Sequence, residues 1–161
     1  YMVVQIGSEI WYSDLFHILD ISGQSVIPEI KYKDVHLALP IYDLISKQNL
    51  EQKNRICLIL LDSTLEIAFK EYLVNESGVA YSDERLQNIF KNRNLVHQEV
   101  KQYAFKKISP TDWLSIDYYY KARCDLIHRR ATVLVSDTDI SNYRQVVVRL
   151  LQELFGLNLS F

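Results

Sequence analysis

From Pro40 onward the apolar residues recur every three or four positions. That period marks amphipathic helices; strands alternate with a period of two. In NRICLILLDSTLEIAFKEYLV, residues Ile56, Leu60, Leu61, Leu65, Ala68, Phe69, Tyr72 and Leu73 follow it and predict a first long helix. PIYDLISKQNL, just before, predicts a short helix with Pro40 at its first position, where the missing N–H is tolerated. After the loop NESGVAYS, Ser82 caps a second long helix with Asp83 and Glu84 in its first turn and Leu86, Phe90, Val96 and Val100 facing inward. SPTD starts the third: Ser109 caps, Pro110 takes the first position and Asp112 the third. Trp113, Ile116, Tyr120, Cys124, Ile127 and Ala131 form its expected buried stripe. After TVLVSDTD, Asp139 opens a last helix through Ile140, Tyr143, Val147, Leu150, Leu151 and Leu154, ending at Gly156.

Residues 1–36 follow a different pattern. MVVQI, LFHILDI and SVIPEIKYKDVHL are β-branched or aromatic runs broken at Gly7, SGQS and Pro28. They predict an irregular or strand-containing arm, or the tail of a preceding domain. The expected fold class is therefore all-α. Residues 39–161 form an up-and-down four-helix bundle with an additional short helix, and residues 1–38 form the N-terminal arm.

Composition narrows the class. Hydrophobic residues make up 48% and charged residues 24%, the balance of a soluble globular domain. Four glycines and three prolines are too few for an all-β design full of tight turns. The two cysteines, Cys57 and Cys124, make no disulfide framework, so a cytoplasmic location is expected. No apolar run reaches the roughly 18 residues that span a bilayer, and no signal peptide is recognisable, so no membrane partner is expected. The chain begins at Tyr1, which suggests a domain of a longer protein. His17, His36 and His97 lack metal-ligand spacing and the cysteines form no C-x-x-C, so neither metal nor cofactor is expected. There is no phosphate-binding G-x-x-x-x-G-K-[ST] loop, which places any ATPase activity elsewhere in a longer protein.

Charge draws attention to one helix. The net charge is −2, yet the halves differ. Residues 1–80 hold six basic and eleven acidic side chains, and residues 81–161 hold twelve and nine. The whole does not look like a nonspecific DNA coater, but its C-terminal half can offer a local anion site. YYYKARCDLIHRRA gathers Lys121, Arg123, His128, Arg129 and Arg130 on the third long helix. As a bland reading, Lys121, Arg129 and Arg130 are cations favoured near a helix C-terminus; as a functional one, they bind neighbouring phosphates of RNA. Arg123 and His128 point about 140° apart on an ideal helix, so pairing them at one site needs a helix end, a kink or a second copy of the chain. Asp125 is either a solvated charge or a brace for the pair. Glu66 and Lys70 are spaced for an i, i+4 ion pair. Arg93 and His97 have a similar pairing one residue too short, which makes them the expected mutational controls. Tyr118 and Tyr119 are expected to pack, with base stacking as the other use.

The residue types suit RNA cleavage. RNA carries its own nucleophile, the 2′-hydroxyl. A histidine can take its proton or protonate the leaving 5′-oxygen, and an arginine can stabilise the phosphorane charge.

The motif RCDLIH, Arg123 to His128, and the helix order across roughly residues 55–156 resemble the HEPN superfamily. Its helical bundles carry an R-x4-6-H motif on the third main helix, and LLDSTLEIAFKEYL looks like the family's opening helix. The resemblance implies a metal-independent ribonuclease acting as a homodimer, with Arg123 and His128 catalytic at the interface. It also implies a defence or toxin–antitoxin setting, with a neutralising antitoxin, or a sensor or ATPase domain of the same protein, as partner. Two positions depart from the family pattern. Cys124 follows the arginine where a polar residue is usual, which bears on catalytic competence. Arg129 and Arg130 replace the H-x-Y extension, which bears on the tyrosine modification of one subfamily. The rival expectation is a non-catalytic helical module for dimerisation or sensing.

Overall fold

The computed structural model describes residues 33–128 and 134–157, with side chains from residue 38 onward. Their fold is all-α. Six helices follow in order: α1 (Lys33–Ser46), α2 (Lys53–Glu71), α3 (Asp83–Phe90), α4 (Arg93–Tyr103), α5 (Pro110–His128) and α6 (Asp137–Phe155). The expected arm lies outside the described residues as far as residue 32, and α1 takes in residues 33–38.

Three local expectations are revised. Pro40 lies inside α1 rather than at its start. A proline there removes one backbone donor, and burial of Leu39 and Tyr42 on the bundle offsets the loss. The expected second helix is a pair of helices, with the break at Lys91–Asn92, where Asn92 turns extended and its side chain accepts the Asn94 N–H at 2.8 Å. The last helix begins at Asp137, two residues early, because Ser136 is its cap and Asp139 its third residue, each bonding the other's backbone N–H. The cap read from SPTD forms as expected: the Ser109 hydroxyl accepts the Asp112 N–H at 3.1 Å, and Asp112 accepts the Ser109 N–H at 3.3 Å.

The break makes the alternation of directions work. Arg85 meets Glu99 and Tyr81 meets Glu99 and Tyr103, so α3 and α4 form an antiparallel hairpin. Asp62 meets Arg93, Phe69 meets His97, and Tyr72 meets Tyr103, so α4 runs parallel to α2. Arg55 meets Leu126 while Asp62 meets Arg123, so α5 runs antiparallel to α2. Tyr119 stacks on Tyr143 and Asp112 pairs with Arg149, so α6 runs antiparallel to α5.

α2 is the central element and packs against α1, α4, α5 and α6. Its Cys57, Leu58, Leu61, Leu65, Ala68 and Phe69 are buried with Ile116 of α5 and Tyr143, Val147, Leu150, Leu151 and Leu154 of α6. It ends in a wider π-helical turn, Tyr72–Glu76, where the Ser77 N–H reaches back to the Tyr72 carbonyl at 2.8 Å. Gly78 follows with φ 71°, a left-handed conformation suited to glycine.

Candidate functional site

The site grows from a displaced stripe. On α5 the buried side chains are Asp112, Ile116, Tyr119 and Leu126. Arg123 falls on that same line, at the 4-3-4-3 spacing of one helical face. Of the expected stripe Ile116 lies on this buried line; the rest, through Trp113, Tyr120, Cys124 and Ile127, is rotated away from the centre. It is covered by α4 only as far as Tyr120, over which Arg93 lies at 4.0 Å. Beyond it Ile127 is 48% exposed. Ala131 lies outside the described residues.

An arginine on an inward stripe needs a counter-charge, and α2 supplies it. Asp62 is fully buried, and its Oδ2 lies 3.6 Å from the Arg123 Nε. The same carboxylate is gripped more tightly from α4. Arg93 donates from both terminal nitrogens to its two oxygens, at 2.8 and 3.0 Å, the bidentate fork of a strong pair. The Tyr143 hydroxyl, from α6, lies 3.4 Å from Oδ1. One carboxylate thus joins α2, α4, α5 and α6. One turn on, Glu66 accepts from Arg93 at 3.0 Å and pairs with Lys70 at 3.2 Å, the i, i+4 pair expected from sequence.

Electrostatics follow from this crowding. Burial opposes the Arg93 charge, but Asp62 and Glu66 outweigh it and hold the guanidinium above its ordinary pKa. Burial, reinforced by the Asp62 charge, pushes the Tyr143 phenol well above the usual range, so it stays a neutral donor. The Tyr120 hydroxyl is raised by its hydrogen bond with Cys124 and by burial. Cys124 itself is half-buried beside Arg123.

His97, one turn after Arg93, is buried in an aromatic cage. Phe69 meets its ring edge-on with centroids 5.4 Å apart, and Trp113 lies at 5.3 Å. Its Nε2 is buried without a hydrogen-bond partner. Burial first, then the Arg93 and Lys101 charges, lower its pKa to about 4. Arg93 and His97, expected to be neutral controls, are among the most enclosed polar residues described. Sequence spacing compares residues on one helix, whereas these two are buried by neighbouring helices.

His128 is the last residue of α5 and is exposed. Lys121 is exposed one helical face away, and Asp125 is half-buried between Arg123 and His128. Arg129 and Arg130 lie outside the described residues. The carbonyl end of α5 is held from α2, where Arg55 donates to the Leu126 carbonyl at 3.2 Å. Sequence reading missed Arg55, Asp62 and Arg93. A signal existed for one of them: Asp62 lies beside Leu61 on an otherwise apolar line, and an inward carboxylate requires a buried cation.

Tyr119 is buried and stacked on Tyr143 with centroids 4.2 Å apart, while Tyr118 is exposed. Among the described residues no group of His, Cys, Asp and Glu is placed to hold a metal ion. Among the same residues no helix is long and apolar enough to cross a membrane. Comparison with known protein families, curated proteins and solved structures found no match to this chain.

Proposed function

We propose that this chain is a metal-independent RNA endonuclease of HEPN type, acting as a homodimer. The observation that carries the reading is Arg123: a motif arginine on an inward-facing position of α5, held from α2 by the buried carboxylate of Asp62, with His128 exposed at the end of the same helix. A guanidinium fixed in direction suits a phosphate oxygen better than one free on a surface. In the reaction, a histidine removes the 2′-hydroxyl proton, the 2′-oxygen attacks phosphorus, the arginines stabilise the charged phosphorane, and a histidine protonates the leaving 5′-oxygen. Two copies facing each other bring two arginines and two histidines to one groove, with Lys121, Arg129 and Arg130 for flanking phosphates and Asp125 as brace. A defence or toxin–antitoxin setting in the cytoplasm belongs to the same proposal, with an antitoxin or a sensor or ATPase domain as regulator.

The test is cleavage of RNA by purified protein. Products with a 2′,3′-cyclic phosphate and a 5′-hydroxyl are expected, insensitive to EDTA and absent with DNA. His128→Ala, at an exposed position, should lower the rate about 10²–10⁴-fold, while the exposed Lys47→Ala leaves it unchanged. Metal-dependent cutting, or equal cutting of DNA, rejects the mechanism.

The second reading, a non-catalytic dimerisation or interaction module, is favoured by one observation. Ile56 and Ile59 of α2 and Ile127 of α5 are each more than a third exposed. Ile127→Glu then abolishes self-association, and no RNA is cut by any variant.

A further inference from the structure

Asn54 and Arg55 are neighbours in the first turn of α2, and adjacent side chains on a helix point about 100° apart. The two therefore reach different helices. Arg55 donates to the Leu126 carbonyl in the last turn of α5 at 3.2 Å, and Gln52 accepts from its other terminal nitrogen at 3.0 Å. The Asn54 side-chain amide donates to the Val135 carbonyl at 2.9 Å and to the Asp137 carboxylate at 2.8 Å, where α6 begins. Lys53 adds an ion pair to the same carboxylate at 3.3 Å. One turn of α2 thus clasps the chain near the end of α5 and again at the start of α6. The carbonyls of a last helical turn have no partner within the helix, so a charged donor placed on one of them restrains that end against fraying. His128 is two residues beyond Leu126 and is exposed at this end.

We propose that Arg55 is a positioning residue for His128: by holding the Leu126 carbonyl it fixes the end of α5, and with it the place at which the imidazole meets the 2′-hydroxyl or the leaving 5′-oxygen of RNA. This rests on the ribonuclease reading for its reaction but not for its geometry. Arg55 acts through the backbone of α5 and takes no part in moving a proton. Asn54 closes the other side of the clasp, so that the chain beyond His128 is tied to the same turn of α2. Proton transfer needs heavy atoms within about 2.6–3.2 Å of each other, and a misplacement of about 1 Å costs roughly 10²-fold in rate. A histidine on a frayed helix end meets that requirement only part of the time.

Positioning separates from binding and from general stability by experiment. Arg55→Met keeps the apolar stem and removes every donor. Measured where sedimentation shows variant and wild type in the same state of association, its rate at saturating RNA should fall about 10–10²-fold. Its affinity for a 2′-O-methyl oligouridylate, which cannot be cleaved, should stay unchanged. Arg55→Lys should recover part of the rate, because an ammonium reaches the Leu126 carbonyl without the second anchor on Gln52. It also serves as the test if Arg55→Met does not fold. Labelling histidine alone with nitrogen-15 gives one backbone amide resonance for each of the four histidines, and the one missing in His128→Gln belongs to His128. The order parameter of that amide should fall by about 0.2 in Arg55→Met. Arg149→Gln, which takes the partner from Asp112 at the opposite end of α5, should lower the urea midpoint and leave the rate unchanged. A folded Arg55 variant that cuts at the wild-type rate overturns the proposal. So does one that loses affinity with its rate unchanged, or a slowing matched by Arg149→Gln. If the wild type cuts no RNA, the ribonuclease reading fails by itself, and the amide decides the geometry: a falling order parameter upholds the grip on His128, and an unchanged one overturns it.

Discussion

At the scale of single residues, two side chains carry the sharpest expectations. Arg93→Ala leaves the buried Asp62 and Glu66 carboxylates short of their shared cation. Such truncation costs about 3–5 kcal/mol, and urea unfolding against wild type measures it. His97 makes stability depend on pH. Its folded pKa of about 4 lies below the ordinary 6.5 because of burial and the Arg93 and Lys101 charges, with Glu66 opposing them. The unfolded chain therefore binds the extra proton. Stability is complete above about pH 6.5, falls as pH drops toward 4, and levels off below; the loss amounts to roughly 3 kcal/mol. In His97→Leu this part of the profile should flatten, and urea midpoints at a series of pH values show whether it does. Arg123 and His128 could be singled out from the sequence because their residue types suit the proposed chemistry. The role of Arg93 was not, because its partners lie 27 and 31 positions away on another helix.

At the scale of elements, caps were the most legible features because they are local. Ser109 with Asp112 formed as read. Ser136→Ala should cost about 0.5–2 kcal/mol by removing the cap of α6, visible as a lowered urea midpoint. The break between α3 and α4 left a fainter trace. Leu86 to Phe90 and Val96 to Val100 are each four apart, but Phe90 to Val96 is six, a step that no single helical face makes. The buried face of α5 was misplaced because both candidate lines look acceptable from sequence. The expected one holds Trp113, Ile116, Tyr120, Cys124 and Ile127; the other shares Ile116 and adds Tyr119 and Leu126 but also the charged Asp112 and Arg123. Hydrophobicity favours the first. The second wins because each of its charges has a partner on a neighbouring helix, Arg149 for Asp112 and Asp62 for Arg123.

At the scale of the whole molecule, the helical class and the helix order were legible from periodicity, and the directions were not, since they depend on where α3 turns back. The proposed composite site makes self-association the whole-molecule expectation. Sedimentation at micromolar concentration should show a dimer, and a strict monomer with RNA present argues against a site shared by two copies. The shared carboxylate also fixes an order in which descendants of this chain can change. If Arg123 mutates to leucine first, Asp62 keeps the Arg93 fork and the tyrosine, a neutral and satisfied pair. If Asp62 mutates first, two guanidinium groups are left facing each other in the core. If the proposed chemistry operates here, the cheap path to an inactive descendant therefore runs through the arginine. A lineage that has lost Arg123 should still carry the aspartate and its α4 partner, as a fossil of the proposed site.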